Sequence, residues 1–136
     1  MKIVVDTSVI VAVIANEPEK AALIRLTKGA DLIAPHSVHW EIGNAFSTML
    51  RRKRIVFDQA LKALEAYGKI PIMFLDVEVE VSLRIAGELG IYAYDAYILR
   101  CAQKYMSPLV SLDRYLVDCA KGMGIRVMEV ADGGSL

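Results

Sequence analysis

Short apolar runs alternate with longer stretches whose apolar residues recur at helical spacing. Residues 2–6, Lys-Ile-Val-Val-Asp, are β-branched and continuously apolar up to the aspartate, the pattern of a strand buried on both faces. Leu32–Ala34, Ile72–Leu75, Leu109–Ser111 and Ile125–Met128 are further short strands. Between them the period changes. Thr7-Ser8 can cap a helix from Val9 to Ala15 that is apolar on nearly every side and therefore deeply buried. Pro18 suits the first turn of a helix running to about Thr27 and ending at Lys28-Gly29. A helix from Ser37 reaches Arg51 or Arg52, and Asp58 caps another from Gln59 to Tyr67. Val77 to Leu89 forms a helix stopped by Gly90, Asp95 opens one over Ala96–Gln103, and Asp113 begins one reaching Lys121.

Strands separated by helices require right-handed crossovers. The expected fold class is therefore α/β, a three-layer α/β/α arrangement with a mostly parallel central sheet. There is no internal repeat and no Pro/Ser-rich linker, so residues 1–130 read as a single domain and 131–136 as a frayed C-terminal tail.

Composition changes this picture in three places. Hydrophobic residues make up 55% of the 136-residue chain, a surplus that points to a homodimer or higher oligomer. Formal net charge is zero, so any polyanion must be attracted by local charge. Cys101 and Cys119 belong to no CxxC or zinc pattern and read as buried reduced thiols, which suits a cytoplasmic protein. The run from Lys2 to Ala15 resembles a secretory signal superficially. Asp6 interrupts it, no small-residue cleavage motif follows, and it is too short to cross a bilayer.

The candidate chemistry lies in four acidic residues. Asp6 ends the first strand, Glu41 lies one turn into the helix after the second, Asp95 opens a helix, and Asp113 follows Leu109–Leu112. In an open parallel sheet, ligand sites form outside the carboxyl ends of the strands, so these carboxylates are expected to converge there. Each has a bland role of its own: Asp6 and Asp113 as helix caps, Asp95 as a first-turn residue favoured by the dipole. Glu41 is harder to explain that way. Ser37, Glu41, Asn44 and Thr48 form one stripe of their helix, with no Lys or Arg to balance the charge. Asp95 lies among Tyr, Ala, Ile, Leu and Cys and equally needs a partner or a metal. Hard oxygen ligands without a Cys or His set suit Mg²⁺ or Mn²⁺, and four acids serve one or two such ions.

Val4-Val5-Asp6-Thr7-Ser8, Glu41 with Asn44, Tyr94-Asp95-Ala96 and Leu109-Val110-Ser111-Leu112-Asp113 resemble the motifs of PIN-domain nucleases in order and spacing. The resemblance is closest to VapC-type toxins of toxin–antitoxin pairs and covers nearly the whole chain. Ser111 stands where that family commonly has Thr, a departure that keeps the hydroxyl. The resemblance implies a Mg²⁺- or Mn²⁺-dependent endoribonuclease, usually a homodimer, often inhibited by an antitoxin of the VapB type. It makes Asp6, Glu41, Asp95 and Asp113 the catalytic and metal-binding quartet, Ser8 and Asn44 supporting polar groups, and Ser111 the residue that orients Asp113.

Arg51, Arg52 and Arg54, with Lys53, form the one dense basic run, either a solvated helix end or a contact to RNA phosphates. His36 and His39 lie near Glu41 but lack a third zinc-type ligand, so a surface or capping role is expected. Tyr92, Tyr94 and Tyr97 read as core or dimer packing rather than as platforms for unpaired bases. Three other readings remain: an RNA-processing nuclease with no antitoxin, a catalytically idle partner-binding module, and a receiver-like domain. The last would want two adjacent acids after the first strand, where Asp6 stands alone.

Overall fold

Strand β1 (Lys2–Val5) lies inside the sheet because Ile3, Val4 and Val5 bury apolar surface on both of its faces. It pairs in parallel with β2 (Asp31–Pro35) on one side, Val4 opposite Ile33, and with β4 (Leu109–Val110) on the other, Val5 opposite Val110. Strand β3 (Ile72–Leu75) adds to β2 in parallel, with Pro35 opposite Leu75. The strand order is β3-β2-β1-β4. This geometry comes from a computed structural model that describes residues 1–130; the expected tail, 131–136, lies outside the described residues.

Seven helices among the described residues connect and cover the strands: α1 (Thr7–Ile14), α2 (Lys20–Thr27), α3 (Ser37–Arg51), α4 (Phe57–Gly68), α5 (Val79–Leu89), α6 (Ala93–Lys104) and α7 (Arg114–Gly122). Helix α1 packs on α2, α3 and α4, whereas α6 packs on α5 and on β1 and β2. The result is the expected three-layer α/β/α fold, and its sheet is entirely parallel. Right-handed crossovers explain the layering. The chain steps outward from β1 through β2 to β3 and then returns past β1 to β4.

Helix α6 explains how the core reaches the sheet. Its residues Ala96, Ile98, Leu99, Cys101 and Ala102 are all buried. Full burial of Leu99 alone stabilises the fold by about 1.5–3 kcal/mol. Burial also pushes the Cys101 thiol up to about 12, so it is inert at neutral pH, and neither it nor Cys119 forms a disulfide. Helix α5 ends at Gly90, whose φ of 66° is the left-handed conformation that a residue without a Cβ adopts most cheaply. Its start is tied to α6: Glu78 accepts from Arg100 Nε at 2.9 Å and pairs with Lys104 at 3.3 Å. The Arg100 hydrogen bond, then one from Glu78's own backbone and a weaker contact from Lys104, hold the Glu78 carboxyl down at about 2.

Three expectations change. Helix α4 begins at Phe57 with Val56 as its N-cap, so Asp58 lies in its first turn and does not cap it. The strand over Ile125–Met128 is reduced to a single bridge between Leu109 and Val127, with Arg126 O and Met128 N on the two bonding groups of Leu109. Strand β4 is only two residues long and offers no further ladder. The second helix begins at Lys20, because Pro18 belongs to the turn before it. Among the described residues no helix is long and apolar enough to cross a membrane.

Candidate active site

The strand order reverses direction beside β1, which has β2 on one side and β4 on the other. Such a switch point leaves a crevice at the carboxyl ends of the two diverging strands. Asp6 follows β1 at that end, and Ser111, Leu112 and Asp113 follow β4. Asp6 is 6% exposed. Its Oδ1 accepts from Ser8 Oγ at 2.7 Å and from Val9 N at 3.2 Å, and its Oδ2 accepts from Ser111 Oγ at 2.6 Å. Each serine hydroxyl is used twice. Ser8 Oγ accepts from Leu112 N and Ser111 Oγ accepts from Asp113 N, both at 3.0 Å. The network therefore fixes the loop after β4 against the loop after β1.

The capping role and the site role coincide at two positions. Asp6 caps α1 through Val9 N, and Asp113 caps α7 by accepting from Leu116 N at 3.2 Å. Asp113 is itself exposed. Asp95 is not a cap: Tyr92 holds that position and Asp95 sits in the first turn of α6. Glu41 occupies the first turns of α3, and its Oε1 is buried without a hydrogen-bond partner among the described residues. The Thr7 hydroxyl lies beside Glu41 and favours its charged form slightly. It lacks the alignment of a full hydrogen bond, and Thr7 Oγ1 is orphaned as well.

Electrostatics link the four acids. Burial raises Glu41 from the ordinary 4.5 to about 7, and the charges of Asp95 and then Asp6 add to the rise. Asp95 is raised by burial and then by Asp113. Asp6 is raised by burial, against the opposing hydrogen bonds of Ser111, Ser8 and Val9, with Asp113 again pushing upward. Glu41 thus feels Asp95 and Asp6, and Asp6 and Asp95 each feel Asp113. None of the four pairs with Lys, Arg or His among the described residues.

A divalent cation suits this donor set. The oxygens are hard, a Glu41 oxygen is buried without a partner among the described residues, and burial, with repulsion from Asp95 and Asp6, raises the Glu41 carboxyl. No group of three His, Cys, Asp or Glu among the described residues is gathered into a ready-made cage. Magnesium does not need one, since it keeps several waters and takes one or two carboxylates. A cavity of about 570 Å³ lies elsewhere. Met1, Lys2 and Pro108 line it at the amino ends of β1 and β4.

The remaining candidates separate. Ser8 and Ser111 hold Asp6. Asn44 is exposed a turn further along α3, and its backbone carbonyl accepts from Ser47 and Thr48. Arg51, Arg52 and Arg54 are exposed at the end of α3, away from the acids in the chain, where Lys53 turns the backbone with a φ of 55°. His36 pairs with Asp76 at 3.1 Å and His39 Nδ1 meets Tyr67 Oη at 2.8 Å, the surface roles expected of them. Tyr92 and Tyr94 are exposed, which removes core packing from their options. Two residues carry more than their sequence suggested. Thr7 faces Glu41, and Trp40, the one tryptophan, is 75% exposed directly before it.

The raised carboxyls set the sign of a pH effect. Between the unfolded value near 4.5 and the folded value near 7, the native state holds more protons than the unfolded chain. Metal-free protein should therefore lose stability as pH rises from 4.5 to 7, and Glu41→Gln should flatten that slope in urea unfolding. An unchanged slope in the variant would show that Glu41 titrates like an ordinary surface acid.

No curated protein sequence matches this chain. Solved structures do resemble it. PAE2754 from Pyrobaculum aerophilum superposes with a TM-score of 0.71 at 24% identity, covering 93% of this chain and 83% of that one. VapBC2 from Rickettsia felis, bound to a DNA fragment from its promoter, gives 0.68 at 14% identity, with 96% and 100% covered. FitAcB from Neisseria gonorrhoeae gives 0.65 at 17%, with 93% and 96% covered. At these identities the likeness is one of fold. The family model of the PIN domain matches residues 3–122, spanning every strand and all four acidic positions, and the chain belongs to the PIN-domain family.

Proposed function

We propose that the protein is a divalent-metal-dependent endoribonuclease and the toxin of a toxin–antitoxin pair. The observation that carries the enzymatic part is the repulsion of Glu41 by Asp95 and Asp6, and of both of these by Asp113, with no Lys, Arg or His paired to any of the four among the described residues. Membership of the PIN-domain family supports hydrolysis of phosphodiesters. The likeness in fold to VapBC2 and FitAcB supports an antitoxin partner.

Asp6, Glu41, Asp95 and Asp113 would hold Mg²⁺ or Mn²⁺, as one ion or two. When bound, the metal supplies Lewis-acid polarisation of a phosphoryl oxygen and acidifies water. The chain's own residues do the rest. Ser8 and Ser111 oppose the upward push of burial on Asp6 and fix its direction, and Ser111 also holds the Asp113 backbone. With the metal bound, the Glu41 carboxylate would help orient the attacking water. Arg51, Arg52 and Arg54 would contact the phosphates of the RNA. In that case Arg51→Gln should shallow the salt dependence of RNA binding by about one unit of slope, whereas an unchanged slope would return the run to a solvated helix end.

The apolar surplus has a visible location. Phe57, Leu61 and Leu64 fall on one face of α4 at helical spacing, all exposed, next to exposed Val56. A second copy of the chain covering this stripe would make the homodimer. Sedimentation at micromolar concentration should show twice the 15.0 kDa mass for the wild type and the monomer for Leu61→Lys. A wild type that sediments only as the monomer would remove the dimer.

Cleavage of single-stranded RNA should vanish in chelator, return with Mg²⁺ or Mn²⁺, and be absent in Asp6→Asn. Because bound metal favours ionised carboxylates, Mg²⁺ should also raise the melting temperature of the wild type, more at pH 8 than at pH 6. Equal cleavage by Asp6→Asn, or a melting temperature indifferent to Mg²⁺ at both pH values, would contradict the proposal.

A further inference from the structure

One turn before Glu41 on the same face of α3, Ser37 opens into a cavity of about 150 Å³ at the carboxyl ends of β2 and β3. Its walls are apolar, from Val77, Val79 and the ring of Tyr97. Ser37 Oγ is buried and has no hydrogen-bond partner among the described residues. At the rim, His36 Nε2 meets Asp76 Oδ1 at 3.1 Å, and the imidazole lies over Phe74 at 6.1 Å with 26° between the rings. The rim is held firmly. The Asp76 carbonyl accepts from Tyr105 Oη at 2.8 Å and Lys104 Nζ at 3.3 Å, and the next acid, Glu78, is fixed by Arg100.

These features define the occupant. The space admits one planar ring and no base pair. Apolar walls favour a ring, the orphaned hydroxyl of Ser37 needs a hydrogen-bond partner on it, and the Asp76 carboxylate can accept from a ring N–H or amino group. No Lys or Arg lines the cavity, and Asp76 repels a phosphate. The chemistry is that of a heteroaromatic ring with a polar edge, and the acids beside it are those assigned to phosphodiester cleavage.

We propose that this cavity takes one unpaired nucleobase of the RNA, next to the cleaved linkage, and sets the protein's sequence preference; the inference rests on the nuclease reading. A base can enter only after leaving its stack, so the cavity also selects single-stranded or looped RNA over duplex.

The test is cleavage of a randomised single-stranded RNA with sequencing of the cut ends, for the wild type, Ser37→Ala and Val79→Trp, with Asp6→Asn as the blank. Val79 is 65% exposed, so tryptophan there closes the rim without entering the core. The wild type should favour particular bases at one position near the cut. Both variants should lower that ratio about fivefold or more, with the other positions unchanged. The same ratio in both variants, or a wild type with no base preference anywhere, overturns the inference while leaving the nuclease intact. Absence of cutting above the blank is a different outcome and counts against the nuclease reading. The cavity is then judged by NMR titration with an uncut trinucleotide in chelator. Shifts at Val79 and Tyr97 that weaken in Ser37→Ala uphold it, and their absence overturns it.

Discussion

Asp6 sits almost wholly buried at the end of an inner strand, and a carboxyl there is tolerable only because both of its oxygens are hydrogen-bonded. Two of the donors are serine hydroxyls, and each hydroxyl also accepts a backbone N–H from the loop after β4. One constraint therefore has three consequences. It caps α1, it joins two chain segments separated by more than a hundred residues, and it brings Asp113 beside Asp6. Replacing either serine by alanine leaves a buried carboxylate oxygen short of a donor and a backbone N–H without its acceptor, the costly kind of loss.

The rest of the site is less well satisfied. Among the described residues, Glu41 has a buried oxygen with no partner, Thr7 a buried hydroxyl with none, and Asp95 feels Asp113 without an ion-pair partner of its own. A structural ion-pair network would have placed Lys or Arg among these groups. The molecule does so elsewhere, where Glu78 is gripped by Arg100 and Lys104. The contrast between Glu78, held down at about 2, and Glu41, pushed to about 7, separates an acid that stabilises the fold from one that is left unbalanced.

Much of this architecture was legible in the sequence because short-range physics decides it. Ile3-Val4-Val5 buries on both faces and Gly90 stops a helix, and both are visible in order and composition alone. The places of Asp6 and Asp113 after β1 and β4 were legible because strand ends in a parallel sheet lie on one edge, whichever helices intervene. What depends on tertiary contact was not. The strand expected at Ile125–Met128 fails because β4 is two residues long, and its length is set by the turn of Ser111 toward Asp6. Thr7 reads as a helix-start residue, and only the approach of α3 reveals that it faces Glu41. The cavity at Ser37 draws on three helices and two strand ends, which no local pattern brings together.

The central claim is that the four carboxylates form one electrostatically unbalanced site awaiting a divalent ion. The most direct measurement is a pH titration of the Glu41 side-chain carboxyl carbon by NMR, first without metal and then with Mg²⁺. The account predicts titration near 7 in the metal-free protein and a clear downward shift when Mg²⁺ is added. Titration near the ordinary 4.5, unmoved by Mg²⁺, would contradict it.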